Sequence, residues 1–271
     1  MPQFYLIQKA VIALSKVLIE NSSKEIVSDV CWAFSYVTDE GKEGFKTLIE
    51  SKAVERLIQL MEFPDLSVSV PCLRTIGNIL TGSEEETQAC IDAGVLQTMT
   101  KLIEHPKKPV RKEVVWSISN ITAGSSRQIE LCIQSGLFDK LVHLMIHDDP
   151  AIKKEAIWAI SNATAGCDER VMEELVRRGI IRALGVGLKF DDPRSIFVTL
   201  EGLAKVLEQG KKQNAEMNPY GLIAEQNGLL ESLEELQLHN NEMVFKKSQD
   251  ILIEYFEPEE DGEMQLQQFA I

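Results

Sequence analysis

The stretch Lys112-Glu113-Val114-Val115-Trp116-Ser117-Ile118-Ser119-Asn120-Ile121-Thr122-Ala123-Gly124 recurs 42 residues later as Lys154-Glu155-Ala156-Ile157-Trp158-Ala159-Ile160-Ser161-Asn162-Ala163-Thr164-Ala165-Gly166. A diverged copy, Arg74-Thr75-Ile76-Gly77-Asn78-Ile79-Leu80-Thr81-Gly82, lies 42 residues upstream, and a fourth, Trp32-Ala33-Phe34-Ser35-Tyr36, another 42 before it. Self-similarity at a fixed period of this length marks an array of supersecondary units, none of which can bury its apolar face alone. A chain of 271 residues would otherwise suggest two domains. An array instead buries one continuous core between neighbours.

Outward from the motif, each unit reads as a short helix, a second helix, a turn and a longer third helix. The periodicity predicts helices over 43–51, 53–62 and 66–80, then over 84–93, 95–104 and 110–122. Ser83 with Glu86, and Ser125 with Gln128, have capping-box spacing. Gly94, Gly136 and Gly179, spaced by 42 and 43, stop the first helices and permit a sharp turn into the second. Asp149-Pro150 supplies an N-cap and a first-turn proline. Upstream, helices over 9–20 and 24–37, the second capped by Ser23, form an incomplete first unit. Pro71, inside a third helix, predicts a bend.

Downstream, the unit at 168–209 keeps the helix lengths but places Glu201 at the Trp position and Lys205 at the Asn position. A polar segment, 210–220, widens the spacing before the last unit. The expected architecture is all-α, a right-handed superhelical solenoid of three-helix repeats over 1–256. Its units are about 1–38 (partial), 41–82, 83–124, 125–166, 167–209 and 219–256, and residues 257–271 read as an acidic, disordered tail.

The balance of 28 Lys and Arg against 42 Asp and Glu gives a net charge of −14. Such a chain repels nucleic acid and anionic membranes and attracts basic ligands. Lys107-Lys108 and Arg111-Lys112 are too few to reverse that. No run approaches the ~18 apolar residues of a membrane span, and the first residues lack a signal-peptide pattern. The five cysteines read as packing residues in a reducing compartment, since Cys90 and Cys132 stand 42 apart at one repeat position. His143 and His147, followed by Asp148-Asp149, have ligand spacing on a helix but no third ligand in place, so no metal site is assigned. No phosphate loop, nucleophile elbow or pair of catalytic carboxylates is present; neither an enzyme nor a cofactor is expected.

Trp and Asn four residues apart share a helix face, and repetition stacks them into a ladder. The stripe Val115, Ile118, Ile121 and its counterpart Ile157, Ile160, Ala163 can point inward while Trp116, Asn120, Trp158 and Asn162 point elsewhere. Two readings follow. In one, Trp packs between repeats and Asn bonds a neighbouring loop. In the other the ladder lines a groove, because a buried Asn would need up to four hydrogen bonds that an apolar core does not readily supply. An Asn amide can then bond the main chain of an extended peptide. Repeats ~8–10 Å apart would match about three peptide residues. Parallel indoles accept aliphatic stems and favour a cation, with Glu113 and Glu155 placed for the charged heads. Such a groove binds Lys- and Arg-rich extended peptides.

The units resemble armadillo repeats, and the motifs Trp116-Ser-Ile-Ser-Asn120-Ile-Thr-Ala-Gly and Trp158-Ala-Ile-Ser-Asn162-Ala-Thr-Ala-Gly resemble those of importin α (karyopherin α). Arg74 four residues before Asn78, and Trp32 four before Tyr36, are similar to two consecutive repeats of that family. The resemblance implies an adaptor that shuttles between cytoplasm and nucleus with proteins bearing nuclear localisation signals. It implies that Trp116, Trp158, Asn78, Asn120 and Asn162 form the minor signal-binding site. By the same resemblance Thr81 would meet the main lysine and Glu155 the basic residue after it. Lys112, Glu113 and Ser119, with Trp32 and Tyr36, would occupy further groove positions, and Arg74 would separate two groove sites. The last repeat and the acidic run beyond Tyr255-Phe256 would face the recycling exportin. The family's N-terminal basic segment and early repeats have no match here, so the sequence reads as a C-terminal half for which importin β is not an expected partner. The cut first unit carries an apolar face that could support self-association.

Overall fold

The computed structural model describes residues 3–21 and 23–256. Its helices are α1 (Gln3–Glu20), α2 (Lys24–Glu40), α3 (Phe45–Glu50), α4 (Ala53–Leu60), α5 (Leu66–Ile79), α6 (Glu84–Asp92), α7 (Val95–Leu102), α8 (Lys108–Thr122) and α9 (Ser126–Gln134). There follow α10 (Leu137–His147), α11 (Pro150–Gly166), α12 (Glu169–Arg177), α13 (Ile180–Gly187), α14 (Pro193–Gln213), α15 (Pro219–Gln226), α16 (Leu229–Leu236) and α17 (Glu242–Tyr255). A short 3-10 turn, Lys42–Gly44, leads into α3. No strand occurs among the described residues. The acidic tail lies outside them.

The third helices α2, α5, α8, α11, α14 and α17 each pack on the next and form one continuous layer. The second helices α1, α4, α7, α10 and α13 form a parallel file behind it. Between the two lies the core. All six residues of the expected stripe, Val115, Ile118, Ile121, Ile157, Ile160 and Ala163, are fully buried, and each large side chain so placed contributes roughly 1.5–3 kcal/mol of transfer free energy. The solenoid expected from the 42-residue period is therefore the structure observed.

The punctuation between helices follows the repeat closely. Gly94, Gly136 and Gly179 all take positive φ (94°, 79° and 85°) at the junction of first and second helices, and Gly228 (74°) continues the series. In the unit before Gly94 the same position is Lys52, with φ 58°. Ser83 and Glu86 form a reciprocal capping box, with bonds of 3.3 and 2.8 Å. The expected box recurs at Ser125, where Gln128 accepts from the Ser125 N–H at 3.3 Å and the Ser125 hydroxyl faces the Gln128 N–H more loosely. Ser23 sits at the N-cap of α2 but spends its hydroxyl on Glu25. Asp149 caps α11 as expected, accepting from the Ala151 N–H at 2.9 Å.

The polar segment 210–220, expected to widen the spacing between two units, begins as helix, since α14 runs on through Gln213. Gly210 is no helix stop: a Cβ there would fall 2.1 Å from Asn218 Oδ1 and 3.0 Å from Tyr220 Cβ, so glycine admits the returning chain. Asn218 then donates to the Leu207 carbonyl at 2.9 Å and caps α15 through the Tyr220 and Gly221 N–H groups at 3.1 Å. His143 and His147 are both exposed on α10; their rings stand 4.7 Å apart, and no group of three potential metal ligands gathers among the described residues. At Pro71, which removes an N–H from α5, the carbonyl of Ser67 accepts instead from the Ser28 hydroxyl of α2 at 2.8 Å.

The five cysteines are free. Burial pushes the Cys90 and Cys132 thiols up to about 12, which suits packing rather than reaction. No described helix is long and apolar enough to cross a membrane.

The junction geometry gives a paired prediction. Gly136→Ala forces a Cβ into the left-handed region with no clash, so its cost is backbone strain alone, roughly 1–2 kcal/mol. Lys52→Gly relieves the same strain and raises the urea midpoint where Gly136→Ala lowers it.

Candidate functional site

The exposed side of the third-helix layer carries the ladder. Trp116 and Trp158 are half-buried there, Asn120 and Asn162 likewise, whereas Asn78 is buried. The two readings of the Asn residues prove to be two ends of one amide. Asn120 Nδ2 donates to the Gly77 carbonyl at 3.1 Å and Asn162 Nδ2 to the Ser119 carbonyl at 3.0 Å, each 43 residues back in the preceding third helix. Asn78 donates to the Thr38 hydroxyl at 3.0 Å and the Ser35 carbonyl at 3.4 Å. An apolar core was expected to supply a buried Asn with too few partners, but backbone carbonyls of the preceding third helix accept from the amide, the Ser119 carbonyl doing so in addition to the Ala123 N–H and the Thr122 hydroxyl. No described donor reaches Oδ1 of Asn120 or Asn162.

Trp116 rests on α5. A Cβ on Gly77 would lie 2.4 Å from its ring, so glycine is required beneath it. The Arg74 guanidinium stands 5.1 Å from the Trp116 ring centroid and pairs with Glu113 at 2.6 Å. The other Glu113 oxygen is buried without a partner. Burial raises the Glu113 pKa, and the opposing pull of Arg74 does not cancel it. Lys112 approaches Glu155 at 3.6 Å. Trp158 carries a cation of its own, the Arg194 guanidinium, again 5.1 Å from the centroid. Trp32 and Tyr36 make an exposed aromatic pair on α2, with centroids 5.9 Å apart.

Ser119 and Thr81 sit less simply. Ser119 is buried and donates its hydroxyl to the Trp116 carbonyl at 2.7 Å. Thr81 is exposed; its hydroxyl donates to the Asn78 carbonyl, and its own carbonyl accepts from Lys42 Nζ, both at 2.7 Å. Beside it opens a cavity of about 560 Å³ at the ends of α5 and α8, lined by Leu80, Thr81, Thr87, Asn120 and Ser125 among others. The sequence reading missed Thr87, Gly77 and Arg194. Gly77 could have been sought as the position beneath Trp116 in the preceding unit, Thr87 lies in the same unit as Asn120 and lines the same cavity, and Arg194 lies outside the repeated motif.

With that geometry in place, comparison with known proteins is informative. The armadillo/β-catenin-like repeat matches residues 42–81, 83–123 and 125–165, and an atypical armadillo repeat matches 218–269. Importin subunit alpha-B of Dictyostelium discoideum is 52% identical over 264 residues, covering 97% of this chain and 51% of the relative. Importin subunit alpha-1b of Oryza sativa subsp. japonica is 38% identical over 269 residues, covering 97% and 50%. The chain is homologous to the importin α subunits. It spans about half the length of these importin α relatives. Among solved structures, a designed armadillo repeat protein in complex with the peptide (KR)4 superposes with a TM-score of 0.80 at 28% identity, covering 90% of this chain and 99% of that one.

Two variants test the site's physics. A carboxyl whose pKa rises on folding costs stability once the pH exceeds both its folded and unfolded values, and the cost disappears at low pH. Glu113→Gln is therefore expected to raise the thermal midpoint at pH 7, with the gain shrinking as the pH falls through the carboxylate range. Gly77→Ala must displace the Trp116 indole, so its tryptophan emission shifts to the red while helical content is kept.

Proposed function

We propose that this chain is the peptide-binding portion of a nuclear import adaptor, holding Lys- and Arg-rich localisation signals in extended form along the Trp and Asn ladder. The observation that carries the reading is the half-used amide of Asn120 and Asn162. Each is pinned through Nδ2 to the unit behind it, so a free Oδ1 is held in a fixed direction beside an indole. An extended peptide offers N–H groups at the matching interval of about three residues per repeat.

The charges fit a basic ligand. Glu113 keeps one buried oxygen without a partner, and Glu155 is loosely paired with Lys112, so a peptide cation can compete for either. The cavity next to Thr81 suits a lysine head. It lies where the carbonyl ends of α5 and α8 meet the starts of α6 and α9, and its lining brings together Thr81, Asn120 and the carboxylate-bearing Glu84. The chain's own Lys42 already sits on the Thr81 carbonyl, an internal example of the chemistry. The importin α relatives and the (KR)4 complex of the designed armadillo protein support the same ligand class. In this reading Trp32 and Tyr36 extend the aromatic path beyond Arg74, and Ser119 supports the ladder through its backbone. At the other end, Leu238, Met243, Phe245 and Ile253 are exposed on the last repeat, and they support the proposal that an exportin docks there.

Trp116→Ala combined with Trp158→Ala is expected to abolish binding of a basic signal peptide by calorimetry with far-UV dichroism unchanged. Truncated aromatic anchors of this kind lose about 2 kcal/mol or more each. Wild-type affinity should fall with added salt. Normal binding by the double variant, or a preference for acidic peptides, would assign the chain to a different kind of armadillo scaffold.

A further inference from the structure

Beyond Trp158 the ladder changes its charge. Glu201 stands where the repeat calls for Trp and is paired with Lys247 at 2.5 Å; Lys205 stands where it calls for Asn and is paired with Glu208 at 3.0 Å. Each of these four charges thus has a counter-ion, Glu208 being shared between Lys205 and Lys212, the latter at 2.7 Å. Arg194 lies seven residues before Glu201, two helical turns along the same face of α14. It is exposed, it makes no ion pair with a described carboxylate, and its guanidinium rests on Trp158. Arg74 differs, because Glu113 already neutralises it.

The two indoles therefore have unequal outer faces. Trp116 is covered from α5 by a cation with its own counter-ion, and Trp158 is covered from α14 by one without. The space between the indoles is the stretch with no cation of the chain's own against a ring.

Given the peptide-binding reading on which this rests, we propose that Arg194 is a specificity-determining residue that ends the basic segment of the ligand. It selects peptides bearing a carboxylate about three residues from the cation seated between Trp116 and Trp158, on the α14 side. A basic residue there meets an uncompensated guanidinium. An Asp or Glu there gains a counter-ion and leaves the peptide's aliphatic stems against the ring.

The test uses three synthetic peptides with one Lys-Arg core and Glu, Gln or Lys three residues from it, made with the substitution on either side of the core. Calorimetry at low salt is expected to show the Glu peptide binding about two- to five-fold tighter than the Gln peptide, the range for an exposed ion pair, with the Lys peptide weakest, for one of the two sides. Arg194→Ala should erase the ranking, and Arg194→Glu should invert it. An unchanged ranking in both variants overturns the role of Arg194 while leaving the peptide site standing. Failure of the wild type to bind the Gln peptide overturns the peptide site and this inference together.

Discussion

The hydrogen bond from Asn Nδ2 to a carbonyl in the preceding third helix is the contact on which the ladder's geometry depends. Hydrophobic burial between repeats supplies most of the stability, but apolar contact is non-directional and would tolerate sliding of one helix on the next. The amide bond does not tolerate it. Repeated at Asn78, Asn120 and Asn162 with a carbonyl separation of 43 residues each time, it sets the register in which indoles stand above one another. At the half-buried Asn120 and Asn162 it holds the donor end of the amide in the scaffold and leaves the acceptor without a described donor. Under the proposed function, structure and recognition would fall to two atoms of one side chain.

The same economy governs charge. A protein with net charge −14 nevertheless places Arg74, Arg194 and Lys42 against the aromatic faces and carbonyl edges of its own ladder. Each makes, within the chain, an interaction that a basic peptide could make from outside, so binding would exchange partners more than it creates contacts. Affinity then depends on which internal cation is easily displaced. Arg74 is held by a half-buried carboxylate and Lys42 by one neutral carbonyl. Under the proposed function the first would act as a wall and the second as a placeholder.

Much of this was legible from spacing. A 42-residue period fixes which residues share a helical phase, so the buried stripe, the helix order and the glycine junctions followed from it. What escaped the reading has a common physical origin, namely contacts between units whose local signals point the other way. Gly210 looks like a terminator, yet it is a glycine because Asn218 packs against it. Lys52 carries no signal for a positive φ, and only its place in the series Gly94, Gly136, Gly179 reveals it. The Asn residues were weighed as either core or groove, because a pattern along one helix cannot show that a neighbour's last carbonyls are within reach.

The confinement of the full Trp and Asn pair to two units also gains a physical account. A scaffold-only ladder could use any side chain that fills the gap, and α14 demonstrates this by stacking on α11 with neither residue of the pair. In α14, Gly202 would bring a Cβ within 2.7 Å of Ser161 Oγ, and Ser161 donates to the Val198 carbonyl at 2.9 Å. Register between α11 and α14 is therefore held by a small hydroxyl in place of an amide, with the surface left to paired charges. Since the repeat joint can be made either way, the indole and amide at 116/120 and 158/162 are not demanded by packing. An outward acceptor and a flat aromatic face at those positions are what the proposed recognition of an extended chain would use.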